Sequence, residues 1–231
     1  MRHKRCYYVR IQDQDEFQHI YKRLYDSNEF LSITEKHRDI SPILIDFDFK
    51  QATPKRLYNQ THIEQILTCL LDFLDEYVDV EEGTHIFVLQ KPPRPHKDQY
   101  KDGIHIIIPN IITKPEYQYE MRTTTMPFIS NILKECNFTN TIDYIYDKSV
   151  IQRNNWLMYG SKKPDESIPW TVSHVYEWHM RQIRLIDNTY TDHELIDLFS
   201  LRNKFNPTPI KKDIIEKTIS IKSIPAVTIT G

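Results

Sequence analysis

The sequence predicts a mixed α+β domain in which helices pack on a partly antiparallel central sheet. Two observations predict this class: short apolar runs rich in β-branched and aromatic residues, and longer segments between them whose apolar residues recur at helical spacing. The 231 residues are enough for one large domain or two small ones with a sizeable core. With 39% hydrophobic and 27% charged residues, the composition is typical of a globular protein.

Composition and charge argue against several classes of protein. The three cysteines stand far apart without a CxxC pair, which argues against a zinc module or a disulfide framework and suits a reducing compartment. No run approaches the ~18 apolar residues of a membrane span, and no apolar signal segment follows the basic N-terminus. With only four glycines, no glycine-rich phosphate loop is present. The net charge of −2 neither requires nor excludes a nucleic-acid partner.

The N-terminal part of the chain is predicted to alternate between strand and helix. Residues 6–11 are predicted as a strand, and residues 15–25 as a helix because their apolar side chains recur at helical spacing. The polar residues 28–39 predict a loop. It leads into the strand 43–49, where Pro42 precedes a run of aliphatic and aromatic residues.

A long helix and an irregular segment follow in the prediction. Residues 62–77 carry a buried stripe of isoleucine and leucine, with Thr61 as the N-cap and Glu64 completing a capping box. Residues 85–89 predict a second apolar strand. Three prolines within residues 90–101 indicate that this segment is not regular structure.

The rest of the chain is predicted to contain three more strands and two more helices. In order these are a strand ending at Pro109, a helix, a strand, a strand and a helix, at residues 104–108, 115–136, 141–146, 172–178 and 192–202. Asp192 is the predicted N-cap of the last helix. Residues 206–231 contain prolines and lysines without periodicity, so we expect a domain of residues 1–205 followed by a linker or exposed tail.

Two carboxylates stand on the strand 43–49. Because side chains alternate along a strand, Asp46 and Asp48 share one face and the phenylalanines beside them share the other. Their Cα atoms would lie roughly 6.5 Å apart. Two carboxylates at that spacing repel each other unless a cation lies between them. The pattern predicts a Mg²⁺ or Mn²⁺ site with oxygen ligands; the alternative is an edge strand with one solvated acidic face.

Two further polar segments carry candidate site residues. Lys101, Gly103 and His105 have one parity, so an extended run points them the same way, where a lysine and a histidine facing an acidic strand can bind phosphate oxygens. The alternative for His105 is a hydrogen-bonded structural histidine. Asp147 opens the other segment and adds a carboxylate, and basic residues follow it as far as Lys163. The alternative there is an ordinary charged loop.

Taken in order, the three segments resemble the motifs of the archaeo-eukaryotic primase superfamily. The family pattern is a DxD-type acidic strand, an SxH-type strand and a downstream acidic residue among basic residues. The matching runs here are Asp46-Phe47-Asp48, Gly103-Ile104-His105 and the Asp-Lys-Ser-Val segment that begins at Asp147. This last segment is similar to eukaryotic primase-polymerases and to the asfarvirus- and poxvirus-like primase-helicases of nucleocytoplasmic large DNA viruses. The resemblance covers residues 43–163, about half of the chain.

The resemblance implies a primase fold with a central, mostly antiparallel, RRM-like sheet, and DNA-directed nucleotidyl transfer that makes primers on single-stranded DNA. It implies two Mg²⁺ or Mn²⁺ ions roughly 3.5–4 Å apart, held by Asp46, Asp48 and Asp147. The residues implied to bind the nucleoside triphosphate are Lys101, Gly103, His105, Arg153, Lys162 and Lys163. The residues predicted to contact the template are Lys91, Arg94, Lys97 and Tyr100.

This sequence departs from the family pattern at two places. Gly103 stands where serine is usual, so we expect its backbone N–H to replace the lost hydroxyl. Leu157-Met158 occupies a region where related enzymes place an arginine, so Arg153 or Lys162 would take that role. The family also implies a fused or associated replicative helicase reached through the tail, no membrane, and a cytoplasmic replication site in an infected cell. A metal-dependent nuclease and a non-catalytic nucleic-acid-binding module stay open as alternatives.

Overall fold

The computed structural model describes residues 9–164, 166–202, 204 and 206–214. In this part of the chain there are six α-helices: α1 Gln14–Asp26, α2 Gln60–Tyr77, α3 Pro115–Ile132, α4 Ile142–Ile145, α5 Ser149–Gln152 and α6 Asp192–Phe199. The strands described are β1 Thr34–Glu35, β2 Ser41–Gln51, β3 His85–Gln90, β4 Arg94–His96, β5 Gln99–Thr113, β6 Trp156–Leu157, β7 Thr171–His179 and β8 Gln182–Ile186. None of the described helices is long and apolar enough to cross a membrane.

The main sheet has the strand order β2-β5-β3-β7-β8, with β4 attached to β5, and every described pairing in it is antiparallel. Strands β1 and β6 form a separate antiparallel pair. The acidic strand β2 is at one edge of the main sheet. The prediction that helices pack on an antiparallel sheet is therefore confirmed, whereas the likeness to an RRM sheet stays a prediction.

The alternation of side chains along β2 separates two apolar layers. Ile45, Phe47 and Phe49 are fully buried in the layer that contains α2 and α3. On the opposite face, Leu44 belongs to a second layer with side chains of α1 and α6. Asp46 and Asp48 have the parity of Leu44, so they lie on this second face, where the covering helices are shorter.

The segment 141–146 contains a short helix, α4, and the predicted strand is wrong. Ile142, Ile145 and Tyr146 have the i, i+3, i+4 spacing of a helix face, and the last two are buried while Tyr144 is exposed. The N–H of Ile145 donates to the carbonyl of Thr141 (2.9 Å). Tyr146 then forms a single antiparallel bridge with Phe47, which brings the chain back to the edge of β2.

The prediction of irregular structure for residues 90–101 is wrong in its second half. Arg94–His96 pairs with the start of β5 to form a hairpin. Pro95 is tolerated because β4 is a short strand at the edge of the sheet, where a missing N–H costs little. Lys97 supplies the turn with a φ of 55°, in the left-handed region that tight hairpins use.

Strand β5 continues beyond Pro109, where the prediction ended it. The register moves from Ile43 opposite Ile108 to Pro42 opposite Ile112, so three residues of β5 bulge out of the ladder. Pro109 lies in this bulge, where it does not interrupt a hydrogen-bonded pair. Strand β1 lies within residues 28–39, which were predicted as a loop. Strand β8, which follows a turn at Met180 and Arg181, was not predicted.

Both predicted helix N-caps are displaced by one or two residues. Helix α2 is capped by Asn59, whose side chain accepts from the N–H of His62 (3.2 Å), rather than by Thr61 with Glu64. Helix α6 is capped by Thr191 in a capping box with Glu194, so Asp192 is its first helical residue. The last helix ends at Phe199, before the predicted end at 202.

The predicted first strand, 6–11, lies mostly outside the described residues, and Ile11 begins a 3₁₀ turn instead. Residues 206–214 pack against the domain. Ile210 bridges to Val78, and the carbonyl of Pro209 accepts from the N–H of Asp79 (2.9 Å). Residues 215–231 of the predicted tail lie outside the described residues.

Candidate metal and phosphate site

Pairing of β2 with β5 places the first two predicted segments opposite each other. The register pairs residues of one parity: Asp46 with His105, Asp48 with Gly103, and Lys50 with Lys101. Side chains of directly opposite residues lie on the same face of the sheet. The register therefore puts Lys101 and His105 on the same face of the sheet as the acidic pair.

Asp147 reaches the same place from a different element. After the bridge between Tyr146 and Phe47, the N–H of Asp147 donates to the backbone carbonyl of Asp46 (3.0 Å). Its Oδ1 accepts from both the N–H (2.8 Å) and the hydroxyl (2.6 Å) of Ser149 at the start of α5. These contacts orient the carboxylate. One carboxylate oxygen from each of Asp46, Asp48 and Asp147 lies within 4.8 Å of the others.

The electrostatics of these three groups suit a bound cation. Burial raises the pKa of Asp46 well above its ordinary 3.8, and the neighbouring Asp48 and Asp147 raise it further. Burial also raises the pKa of Asp48, while Lys101 and Lys163 oppose the rise. Asp46 Oδ1 is buried and has no hydrogen-bond donor in the described part of the chain. Three converging carboxylates with an unsatisfied oxygen fit a hard divalent ion such as Mg²⁺ or Mn²⁺.

His105 is held between two tryptophans beside Asp46. Its ring stacks on Trp170 (centroids 3.7 Å apart, planes 22° apart) and contacts Trp156 at 4.8 Å. Its Nε2 lies 3.4 Å from Asp46 Oδ1. Burial, with Lys91 and Lys163 nearby, lowers the pKa of His105 well below 6.5, which favours the neutral form of the ring. Sequence reasoning missed Trp170, because a contact 65 residues away leaves no periodic signal.

Gly103 is required by the packing around it. A Cβ at this position would lie 2.7 Å from the carbonyl oxygen of Phe47 and 3.2 Å from Cη2 of Trp170. The usual serine therefore does not fit without movement of β2. Its backbone N–H donates to Asp102 Oδ1 (2.8 Å), so the expected contact of this N–H with a phosphate would have to replace that bond.

Of the predicted triphosphate-binding lysines and arginine, two act electrostatically on Asp46 and Asp48. Lys101 is half-buried and Lys163 is exposed, and both lie near enough to lower the pKa values of Asp46 and Asp48. Lys162 extends over the ring of Phe30, 5.5 Å from its centroid. Arg153 is exposed just after the end of α5.

The predicted template-binding residues lie along the β4–β5 hairpin and just before it. Lys97 is exposed at the turn, and Tyr100 is half-buried on β5. Lys91 is buried, and together with Arg94 it forms an ion pair with Glu166. Glu166 was not identified from the sequence, because its two cationic partners are more than 70 residues away along the chain.

Comparison with known proteins gives one family match and several viral relatives. Residues 1–176 match the family described as the C962R protein N-terminal AEP domain. The chain is 33% identical over 150 residues to "Putative helicase L207/L206" of Acanthamoeba polyphaga mimivirus, covering 62% of this chain and 16% of that protein. It is 22% identical over 206 residues to "Putative helicase 121R" of Invertebrate iridescent virus 3, covering 78% of this chain and 21% of the relative.

A further relative is "Putative helicase 184R" of Invertebrate iridescent virus 6, with 23% identity over 210 residues. The alignment covers 79% of this chain and 21% of that protein. The chain thus spans about a fifth or less of the length of the relatives that it matches. The matched family region contains the three clustered aspartates and every predicted site residue.

Proposed function

The chain belongs to the family of the C962R protein N-terminal AEP domain, and we propose from this membership that it is a DNA primase that makes primers on single-stranded DNA. Membership in an archaeo-eukaryotic primase family implies nucleotidyl transfer of the primase type. The observation that carries the proposal is the acidic cluster, in which three carboxylate oxygens from β2 and the segment after α4 converge within 4.8 Å.

The proposed metal ligands are Asp46, Asp48 and Asp147. Two Mg²⁺ or Mn²⁺ ions at such a site would activate the primer 3′-hydroxyl and neutralise the leaving pyrophosphate. The contribution of the chain is to hold the three carboxylates in place before substrate arrives. The β2–β5 register fixes the first two, and the hydrogen bonds of Asp147 to Asp46 and Ser149 fix the third.

The proposed triphosphate contacts start with Lys101 and Lys163, the cations that act on both Asp46 and Asp48. A triphosphate at the metal site would extend towards these charges. His105 borders the same face through its contact with Asp46. The remaining candidates for this role are Gly103, Arg153 and Lys162.

We propose that the template runs along the hairpin, where the candidate contacts are Lys91, Arg94, Lys97 and Tyr100. Cations on a hairpin can follow backbone phosphates, and a tyrosine can stack on a base. Because the relatives are named putative helicases and the aligned region is only 16–21% of their length, we also propose a fused or associated helicase. The viral relatives support a role in viral genome replication, at a cytoplasmic site in an infected cell.

The test is de novo primer synthesis on single-stranded DNA by the purified chain with Mn²⁺, using ribonucleotides and deoxyribonucleotides in separate reactions. We expect short products with at least one nucleotide class. The same preparation should leave a labelled DNA strand uncut when nucleotides are omitted. Cleavage without synthesis would instead support the nuclease, and no Mn²⁺ binding by calorimetry would support the non-catalytic module.

A further inference from the structure

Glu166 lies between two cations near the acidic site. Its carboxylate forms ion pairs with the ammonium of Lys91 and with Nη2 of Arg94 (2.7 Å). The side chains of Glu166 and Lys91 are only 6% and 9% exposed, whereas that of Arg94 is 39% exposed. A single carboxylate therefore holds two cations that would otherwise face an incoming anion, and the three groups together keep one surplus positive charge.

Arg94 and Lys91 each lie close to a different part of the candidate site. Arg94 lies opposite Lys101 in the β4–β5 register, and it is among the cations that lower the pKa of Asp48. The ammonium of Lys91 lies 4.9 Å from the ring centroid of Trp170, which stacks on His105. A phosphate that replaced the Glu166 carboxylate would thus contact the hairpin through Arg94 and, through Lys91, the tryptophan that stacks on His105.

We propose that Lys91 and Arg94 form a phosphate-binding site that Glu166 occupies in the substrate-free protein, so that Glu166 competes with the substrate phosphate and lowers its affinity. A carboxylate and a phosphate offer the same kind of acceptor to a guanidinium and an ammonium. A nucleoside triphosphate has more acceptor oxygens and more charge than the carboxylate, so it satisfies both cations more fully. A template phosphodiester has the same single charge as the carboxylate and would displace it at equal charge. This inference rests on the proposed function only for the identity of the substrate.

A purely structural ion pair makes a different prediction. Removing the carboxylate then leaves Lys91 buried without a counter-charge, so stability falls and phosphate binding does not improve. If Glu166 instead competes with phosphate, the variant without the carboxylate also loses stability, but added phosphate binds Lys91 and Arg94 and restores it. The two cases are separated by measuring binding and thermal unfolding on the same variant.

The experiment compares Glu166→Gln with the wild type and with Glu177→Gln. Glu177 is a matched control, because its partly exposed carboxylate also pairs with an arginine, Arg184 of β8. Binding of a fluorescent oligothymidylate is measured at several salt concentrations, and binding of a nucleoside triphosphate with Mn²⁺ is measured by calorimetry. We expect Glu166→Gln to bind the oligothymidylate or the triphosphate about tenfold more tightly than the wild type. We expect Glu177→Gln to bind both with wild-type affinity.

The two probes identify the source of the phosphate. If it belongs to the template, the salt dependence of oligothymidylate binding steepens by about 0.7 for each phosphate gained, and triphosphate affinity stays constant. If it belongs to the nucleotide, only the triphosphate binds more tightly. In either case, adding Arg94→Gln to Glu166→Gln should remove the gain.

Unchanged or weaker binding of both probes by a folded Glu166→Gln variant would overturn the inference. If that variant does not fold, Arg94→Gln alone decides, because it leaves the Lys91–Glu166 pair in place. It should weaken phosphate binding severalfold, and unchanged binding would reject the site. Primer synthesis by the wild type is scored separately, so a failed primase assay with tighter binding by Glu166→Gln contradicts the proposed function alone.

Discussion

At the scale of single residues, Asp46 destabilises the metal-free protein when it is ionised. Its pKa in the folded chain is raised well above 3.8, so the folded state favours the neutral carboxyl. The stability that the neutral form supplies is present at low pH and is lost as the pH rises through the folded-state pKa. The ionised carboxylate is therefore unfavourable in this position, and a bound divalent cation would offset that cost.

Replacing Asp46 and Asp48 by asparagine should separate function from stability. Loss of two ligand charges should lower primer synthesis by more than ~100-fold, because changes to the residues around metal ligands alone cost 10–100-fold. The unfolding temperature without metal should hold or rise, because like-charge repulsion is removed. The measurements are primer extension and thermal unfolding. Wild-type extension by this double variant would show that the metal assignment is wrong.

Asp147 and Asp143 provide a paired test of the third ligand. Asp143 is exposed and bonded to Arg122 (2.7 Å), which lowers its pKa, whereas Asp147 joins the acidic cluster. We expect Asp147→Ala to abolish extension of a preformed primer even at high nucleotide concentration, because the defect lies in metal placement. Asp143→Ala should retain most activity. Circular dichroism checks folding, and equal activity of the two variants would contradict the assignment.

At the scale of elements, the β2–β5 pair shows what sequence patterns can predict. The two-residue period of a strand fixed the shared face of Asp46 and Asp48 and the shared parity of Lys101 and His105 without any knowledge of the fold. Asp147 was identified by motif order, although its segment was expected to be a strand. The error had a local cause, since alternation over six residues cannot be distinguished from one turn of helix.

Other residues of the site could not be predicted from sequence patterns, for a different reason. Trp170 and Glu166 act through contacts with residues 65 to 75 positions earlier, and such contacts follow from tertiary packing rather than periodicity. The hairpin at Arg94 was hidden by its prolines, which an edge strand tolerates. The detailed likeness to an RRM sheet and the individual roles of the site residues stay predictions.

Gly103→Ser tests whether packing or chemistry selected the glycine in the second motif. The new Cβ would lie 2.7 Å from the Phe47 carbonyl, so β2 and β5 must move apart near Asp48. We expect a loss of about 1–3 kcal/mol in unfolding free energy, as for other overpacked sites, together with reduced extension. Denaturant unfolding measures the first effect. A variant with wild-type stability and tighter nucleotide binding would instead favour a missing hydroxyl contact.

At the scale of the whole molecule, residues 206–214 behave as part of the domain. Asp75 is a buried carboxylate that pairs with Lys211 (2.9 Å), and the N–H of Ile112 donates to Thr208 (2.8 Å). A chain ending at 205 should therefore unfold at a lower temperature than one ending at 214, because buried polar groups lose partners. Thermal unfolding of both truncated chains is the measurement. Equal stability would support the predicted boundary at 205.

Metal binding should appear as a pH-dependent stabilisation of the whole fold. A ligand present at 100 times its Kd adds about 2.7 kcal/mol, so Mn²⁺ should raise the unfolding temperature at neutral pH. The gain should fade as the pH drops, because protons compete for Asp46, whose metal-free pKa is raised well above 3.8. Thermal unfolding with and without Mn²⁺ across pH checks this. A gain that is constant down to pH 4 would place the ion elsewhere.

The bond from the Asp147 N–H to the Asp46 carbonyl ties the third carboxylate to the peptide backbone of the edge strand. The main chain of Asp147 is therefore held at the sheet edge by this bond and by the neighbouring Phe47–Tyr146 bridge, while Ser149 holds its carboxylate. Fraying of the sheet edge would thus displace the third carboxylate from the other two, which links the assembly of the cluster to the local stability of β2. In the proposed primase, this arrangement would keep the three carboxylates together between successive nucleotide additions.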